Sequence, residues 1–76
     1  MFEQLKDMIC EYVTIEKDQI TENSMFIDDL GFSSYDFMTL VGELEEKLEV
    51  QVVTADLASL KTVGDAVTYM EKLKNH

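Results

Sequence analysis

The stretch Phe32-Ser33-Ser34-Tyr35-Asp36-Phe37-Met38-Thr39-Leu40-Val41-Gly42-Glu43-Leu44-Glu45-Glu46-Lys47-Leu48-Glu49 decides the fold. Its apolar members Phe37, Leu40, Val41, Leu44 and Leu48 fall at offsets 0, 3, 4, 7 and 11, which is one stripe along an α-helix. Thr39, Glu43, Glu45, Glu46 and Lys47 fall toward water. The start of this helix is marked twice. Ser33 stands three residues before Asp36, so its hydroxyl can accept the Asp36 N–H while the Asp36 carboxylate reaches back, as in a capping box. With Ser33 as N-cap, Phe32 and Phe37 take the N′ and N4 positions of a hydrophobic staple. Both signals predict a helix that begins just after Ser33 and runs to about residue 49.

Upstream, Phe2, Leu5, Ile9, Tyr12 and Val13 recur at offsets 0, 3, 7, 10 and 11, predicting a first helix over about 1–14. Residues 15–33 break the pattern. Asp18, Thr21, Asn23, Ser24 and Gly31 supply turn chemistry there, while Ile20, Met25, Phe26 and Leu30 argue that this long loop is packed by its own side chains. Downstream, 50–53 alternates weakly, but with no partner strand it reads as an extended connector. Residues 55–60 suit one or two short helical turns. Thr62, three residues before Asp65, looks like a second N-cap, followed by Val63, Ala66, Val67, Met70 and Leu73 at helical spacing. The expected fold is all-α: a small four-helix bundle of three main helices and one short one, with a long loop between the first and second.

Seventy-six residues allow one small domain, 1–76, with a thin core; a chain of this size buries about 60 to 65% of the surface its unfolded form exposes. Composition narrows the partners. Sixteen acids against six bases give a net charge of −10, which repels phosphate backbones and anionic headgroups and favours basic protein surfaces. Nucleic acid and membrane insertion are therefore not expected, and apolar runs are far too short to span a bilayer. Glu3, Lys6 and Asp7 interrupt any would-be signal sequence, so a cytoplasmic location is expected. The single Cys10 has no disulfide partner, and the single His76 is terminal and expected to be disordered; structural zinc is excluded. Asp28 and Asp29 do not begin a calcium loop, because Leu30 and Phe32 occupy ligand positions. No metal site is expected.

The segment Asp29-Leu30-Gly31-Phe32-Ser33-Ser34-Tyr35-Asp36 resembles the prosthetic-group attachment motif of acyl carrier proteins, whose usual form is Asp-Leu-Gly-x-Asp-Ser-Leu-Asp. The resemblance continues in Leu44-Glu45-Glu46 with Leu48, similar to that family's second helix, and in Thr62-Val63-Gly64-Asp65-Ala66-Val67, similar to the start of its last helix. It implies a carrier without catalytic residues. The motif serine of the family holds 4′-phosphopantetheine, donated from coenzyme A, and its thiol carries acyl groups as thioesters. The serine three residues after Gly31 is Ser34. Free backbone N–H groups at a helix start favour a phosphate there. Two positions depart from the usual motif, Ser33 for Asp and Tyr35 for Leu. Ser caps nearly as well as Asp, but a carboxylate that helps engage the transferase and its metal is missing.

Without the resemblance, Ser34 is an ordinary helix-start hydroxyl, and Ser33, as the cap, is the alternative to it. Residues 28–49 hold seven acids against Lys47, so −6 of the −10 lies there. A charge cluster is usually just a solvated face; beside an attachment serine it would steer partners. Asp29, Tyr35, Asp36, Met38, Glu43, Glu45 and Glu46 are the expected docking residues. The resemblance also implies an acyl pocket between the second and third helices, with Phe26, Leu44, Leu60 and Ala66 as its lining. Expected partners are a phosphopantetheinyl transferase and acyl-loading and acyl-processing enzymes with basic docking patches, in fatty-acid or polyketide synthesis, served by a monomer. The alternatives are a peptidyl or aminoacyl carrier of a secondary-metabolite pathway and an unmodified acidic adaptor. Cys10, with no basic neighbour, is expected to be an inert thiol.

Overall fold

The computed structural model describes residues 1–75; His76, expected above to be disordered, lies outside the described residues. Three α-helices form: α1 (Phe2–Ile9), α2 (Ser34–Leu48) and α3 (Val63–Lys74). Two 3₁₀ segments, Lys17–Gln19 and Thr54–Ser59, lie in the connections. The second of these is the expected short helix, so the four-helix bundle is the observed architecture. Among the described residues the only β pairing is an isolated bridge between Met25 and Thr62.

The stripe read from the sequence is the face that packs. Leu40, Val41 and Leu44 of α2 are buried, with Phe37 and Leu48 half-buried at the edges of the same core. Leu5, Met8 and Ile9 come from α1 and Val63, Ala66, Val67 and Met70 from α3. Both predicted caps form. Asp36 N–H donates to Ser33 Oγ at 3.1 Å and Ser33 N–H to Asp36 Oδ2 at 3.3 Å. Asp65 N–H donates to Thr62 Oγ1 at 3.0 Å and Thr62 N–H to Asp65 Oδ2 at 3.1 Å. The two residues of the staple, Phe32 and Phe37, both pack on Phe26, with ring centroids 5.7 and 5.1 Å away.

One boundary differs from expectation. The first helix ends at Ile9 rather than near residue 14, and the chain tightens into turns in which Glu11 N–H meets Met8 O and Tyr12 N–H meets Ile9 O. The β-branched run Val13-Thr14-Ile15 disfavours helix. Tyr12, freed from the helix, lays its ring 5.4 Å from Phe32 and gives its hydroxyl to Glu43 of α2.

The long loop is packed, as its apolar content implied. Ile20, Phe26, Leu30 and Phe32 are buried. Its backbone is tied to the start of α3 by Phe26 N–H to Lys61 O, Val63 N–H to Ser24 O and Gly64 N–H to Glu22 O, at 3.1, 2.9 and 2.8 Å. The last contact explains Gly64: a Cβ there would lie 2.9 Å from Glu22 O. Residues 50–53 are the extended connector, held to α2 by Val52 N–H donating to Glu45 Oε2 at 2.7 Å.

Candidate functional site

Ser34 is the first residue of α2, and its side chain is exposed. The chain reaches it through Gly31, whose φ of +74° lies in the left-handed region that other residues rarely adopt. The capping box then holds Ser33 extended, at φ −83° and ψ 167°, and turns the next residue outward. Among the described residues no group hydrogen-bonds the Ser34 hydroxyl, and no acceptor takes the N–H groups of Ser34 or Tyr35. A free hydroxyl thus sits beside two free donors at the positive end of a 15-residue helix.

Ser34 also lies on the wall of a cleft of about 480 Å³. Phe26, Ile27 and Asp28 of the loop form one side, and Phe37 and Met38 extend it along α2. The opposite wall is Leu57 and Ala58 of the 3₁₀ helix, continued by Leu60 and Lys61. Its size is that of an ordinary small-molecule site. Two of the four residues expected to line an acyl pocket, Phe26 and Leu60, are in this wall. Leu44 and Ala66 are not: they are 1% and 3% exposed, packed in the core between α1, α2 and α3. The cleft opens between the loop, the start of α2 and the short 3₁₀ helix that follows α2 in the chain.

The expected docking residues divide into two groups. Tyr35 and Met38, 79% and 51% exposed, and Glu46 project from α2 into solvent. The remaining acids also serve the fold. Asp29 Oδ2 accepts Met25 N–H at 2.8 Å, Asp36 closes the capping box, Glu45 holds Val52, and Glu43 accepts the Tyr12 hydroxyl. Partial burial, then the hydrogen bond to Glu43 and its charge, push the Tyr12 phenol up to about 12. Ile27 and Val53 are also exposed, at 52% and 56%; neither stands out in the sequence, because neither belongs to a helical stripe. Cys10 is half-buried with Sγ 3.6 Å from Ile15 O. Among the described residues no group of acids, His or Cys is arranged to hold a metal ion, and no helix is long and apolar enough to cross a membrane.

Residues 3–70 match the family model described as "Phosphopantetheine attachment site". The chain is 44% identical over 70 residues to an acyl carrier protein of Clostridium perfringens, covering 92% of each chain. It is 42% identical over 72 residues to one of Thermotoga maritima, covering 95% of this chain and 89% of that one. In three dimensions it is similar to the acyl carrier protein of Enterococcus faecalis, with a TM-score of 0.84 at 30% identity over 95% of this chain and 91% of the other.

The chain belongs to the acyl carrier protein family. The prosthetic group of acyl carrier proteins is 4′-phosphopantetheine, and the residues present fit it. A phosphodiester needs an exposed hydroxyl free of internal partners, and Ser34 offers one. Its anionic oxygens are favoured beside unpaired N–H groups at a helix start, and a largely apolar cleft adjoins the same residue. The single departure of this acyl carrier protein that touches the cap, Ser33 for the usual Asp, leaves the capping box intact.

Proposed function

We propose that Ser34 is the residue that carries 4′-phosphopantetheine in this acyl carrier protein. The observation that carries this reading is the exposed, unpartnered Ser34 hydroxyl at the first position of α2, on the edge of the cleft. Ser33 is occupied: its hydroxyl caps the helix. When bound, the group supplies a flexible arm whose thiol holds acyl intermediates as thioesters. The protein's own residues do the rest. Gly31 and the Ser33 cap present the hydroxyl, the N–H groups of Ser34 and Tyr35 favour the phosphate charge, and the cleft gives an acyl chain a place away from water.

The carrier makes and breaks no bonds itself in this reading; a phosphopantetheinyl transferase loads it, and acyl-processing enzymes of fatty-acid or polyketide synthesis act on its cargo in the cytoplasm. Their basic surfaces meet Asp29, Asp36, Glu43, Glu45 and Glu46, with Tyr35 and Met38 as the apolar contact. Asp36, Glu43 and Glu45 are already hydrogen-bonded within the fold, so they contribute field rather than flexible ion pairs. Glu46, exposed and outside the ion pairs of the described residues, is the best placed to contact a partner directly.

The test is the intact mass after incubation with coenzyme A, magnesium and a broad-specificity phosphopantetheinyl transferase. A gain of one phosphopantetheine by the wild type and none by Ser34→Ala is expected. A gain by folded Ser34→Ala would move the site elsewhere.

A further inference from the structure

The 3₁₀ helix Thr54–Ser59 forms one wall of the cleft through Leu57 and Ala58, yet it contributes no buried residue to the core. Only Leu57 is half-buried against that core. Such a segment opens at low cost, because little apolar area holds it and 3₁₀ hydrogen bonds are poorly aligned. Among the described residues, one side-chain hydrogen bond links it to another element: the Tyr69 hydroxyl of α3 donates to Asp56 Oδ2 at 2.6 Å. The Tyr69 hydroxyl oxygen in turn accepts the Val53 N–H at 3.3 Å, just before the 3₁₀ helix begins. One phenol therefore fastens both the entry and the middle of the cleft wall to α3.

We infer that Tyr69 is a positioning residue for the acyl cargo: its strap to Asp56 and Val53 holds the Thr54–Ser59 wall shut, and so sets how often the cleft opens to water and to the acyl chain. This rests on the reading that the cleft shelters an acyl chain. The geometry suits a reversible fastening. The bond from Val53 is exposed and the bond to Asp56 is only partly buried, so water can replace each of them on opening and release leaves no fully buried charge unpaired. The hydrogen bond to Asp56 also raises the phenol above the usual tyrosine range, which keeps the donor proton in place. Ser59 Oγ bonds the Asp56 backbone carbonyl, not its carboxylate, so Asp56 can let go of Tyr69 without unwinding its own turn.

The experiment uses the holo protein loaded with an acetyl or an octanoyl group, as wild type, Tyr69→Phe, Asp56→Ala and Asp56→Asn. Two quantities are read: amide hydrogen exchange over residues 53–59, and thioester hydrolysis of each loaded form. Tyr69→Phe and Asp56→Ala are expected to exchange faster in this segment, by about three- to tenfold for Tyr69→Phe, the factor that a hydrogen bond of ordinary net worth represents. In both, octanoyl hydrolysis should accelerate while acetyl hydrolysis, whose chain is too short to use the cleft, does not. Asp56→Asn retains an acceptor and should retain most of the protection. Unchanged exchange in Tyr69→Phe overturns the strap. Faster exchange with octanoyl protection intact overturns its control of the cleft, and equal acceleration of both thioesters reduces Tyr69 to a general structural role. If wild-type octanoyl and acetyl forms hydrolyse alike, the shelter reading fails, and the strap's role in cargo protection fails with it.

Discussion

The Tyr12 hydroxyl donates to the Glu43 carboxylate across 31 residues of sequence, joining the turn after α1 to the middle of α2. The ring of Tyr12 packs at the same time on Phe32, which immediately precedes the Ser33 cap. One side chain thus braces both the acidic helix and the approach to Ser34. Because this bond is partly buried and its acceptor is charged, Tyr12→Phe is expected to lose about 1 to 2 kcal/mol of stability, seen in chemical denaturation. A loss within error would mean that solvent serves Glu43 equally well.

The same phenol gives a pH prediction. Its folded-state value of about 12 lies above the usual tyrosine value of 10.0. A group raised in this way contributes its full stabilisation below the unfolded value and loses it as pH climbs through the folded one. Stability attributable to Tyr12 should therefore be constant up to about pH 10 and fall between about 10 and 12. The phenolate absorbance that disappears in Tyr12→Phe should have its midpoint near the upper end of that window. A midpoint at or below 10 would contradict the bond.

Adjacent serines with different tasks make a sharp comparison. Ser33 Oγ accepts the Asp36 N–H, whereas the Ser34 hydroxyl has no partner among the described residues. Ser33→Ala should cost about 1 kcal/mol by removal of a cap while retaining phosphopantetheine transfer by intact mass. Ser34→Ala should leave the melting temperature nearly unchanged and abolish transfer. The reverse assignment of either effect would mean that the two roles are exchanged.

What the sequence made legible follows from how local the physics is. The capping boxes of Ser33 with Asp36 and Thr62 with Asp65 are written in adjacent residues, so both helix starts could be read directly. The α2 and α3 stripes were legible because apolar periodicity reports the face that packs. The end of α1 was legible only in part: the β-branched run Val13-Thr14-Ile15 weakens the helix locally, but the residue at which the chain leaves it also depends on Tyr12 reaching Glu43 and Phe32, distant partners that no local pattern reveals. The cleft was read in part for a related reason. Apolar character says that Phe26, Leu44, Leu60 and Ala66 face inward, but not which of them meets a neighbour and which meets a space; Leu57 and Ala58, in a segment too short for periodicity, complete the wall in place of Leu44 and Ala66.

The end of α2 carries a local cost. Glu49 takes φ 56° and ψ 46°, the left-handed conformation that glycine usually supplies after a helix, and it places a negative charge at the negative end of the helix dipole. The Val50 N–H folds back to Glu45 O at 3.1 Å, so the turn itself is well made. Glu49→Gly relieves both penalties and should raise stability by about 1 kcal/mol, visible as a melting temperature higher by several degrees. A lower melting temperature would show that glycine's extra unfolded-state freedom outweighs the relief.

Enlarging Ala66 and enlarging Ala58 should have opposite consequences. Ala66 is 3% exposed and enclosed by the core, so Ala66→Leu must displace packed neighbours and is expected to destabilise by about 1 to 3 kcal/mol. Ala58 is exposed on the 3₁₀ helix and lines the cleft, so a larger side chain there has open space to enter. Ala58→Leu should keep stability within about 0.5 kcal/mol of the wild type while occupying the space an acyl chain would use. The octanoyl thioester of Ala58→Leu should then hydrolyse nearly as fast as the acetyl thioester. If Ala66→Leu abolished octanoyl protection at unchanged stability, and Ala58→Leu had no effect, the acyl chain would have to enter the core between α2 and α3, and the cleft beside Ser34 would not be its shelter.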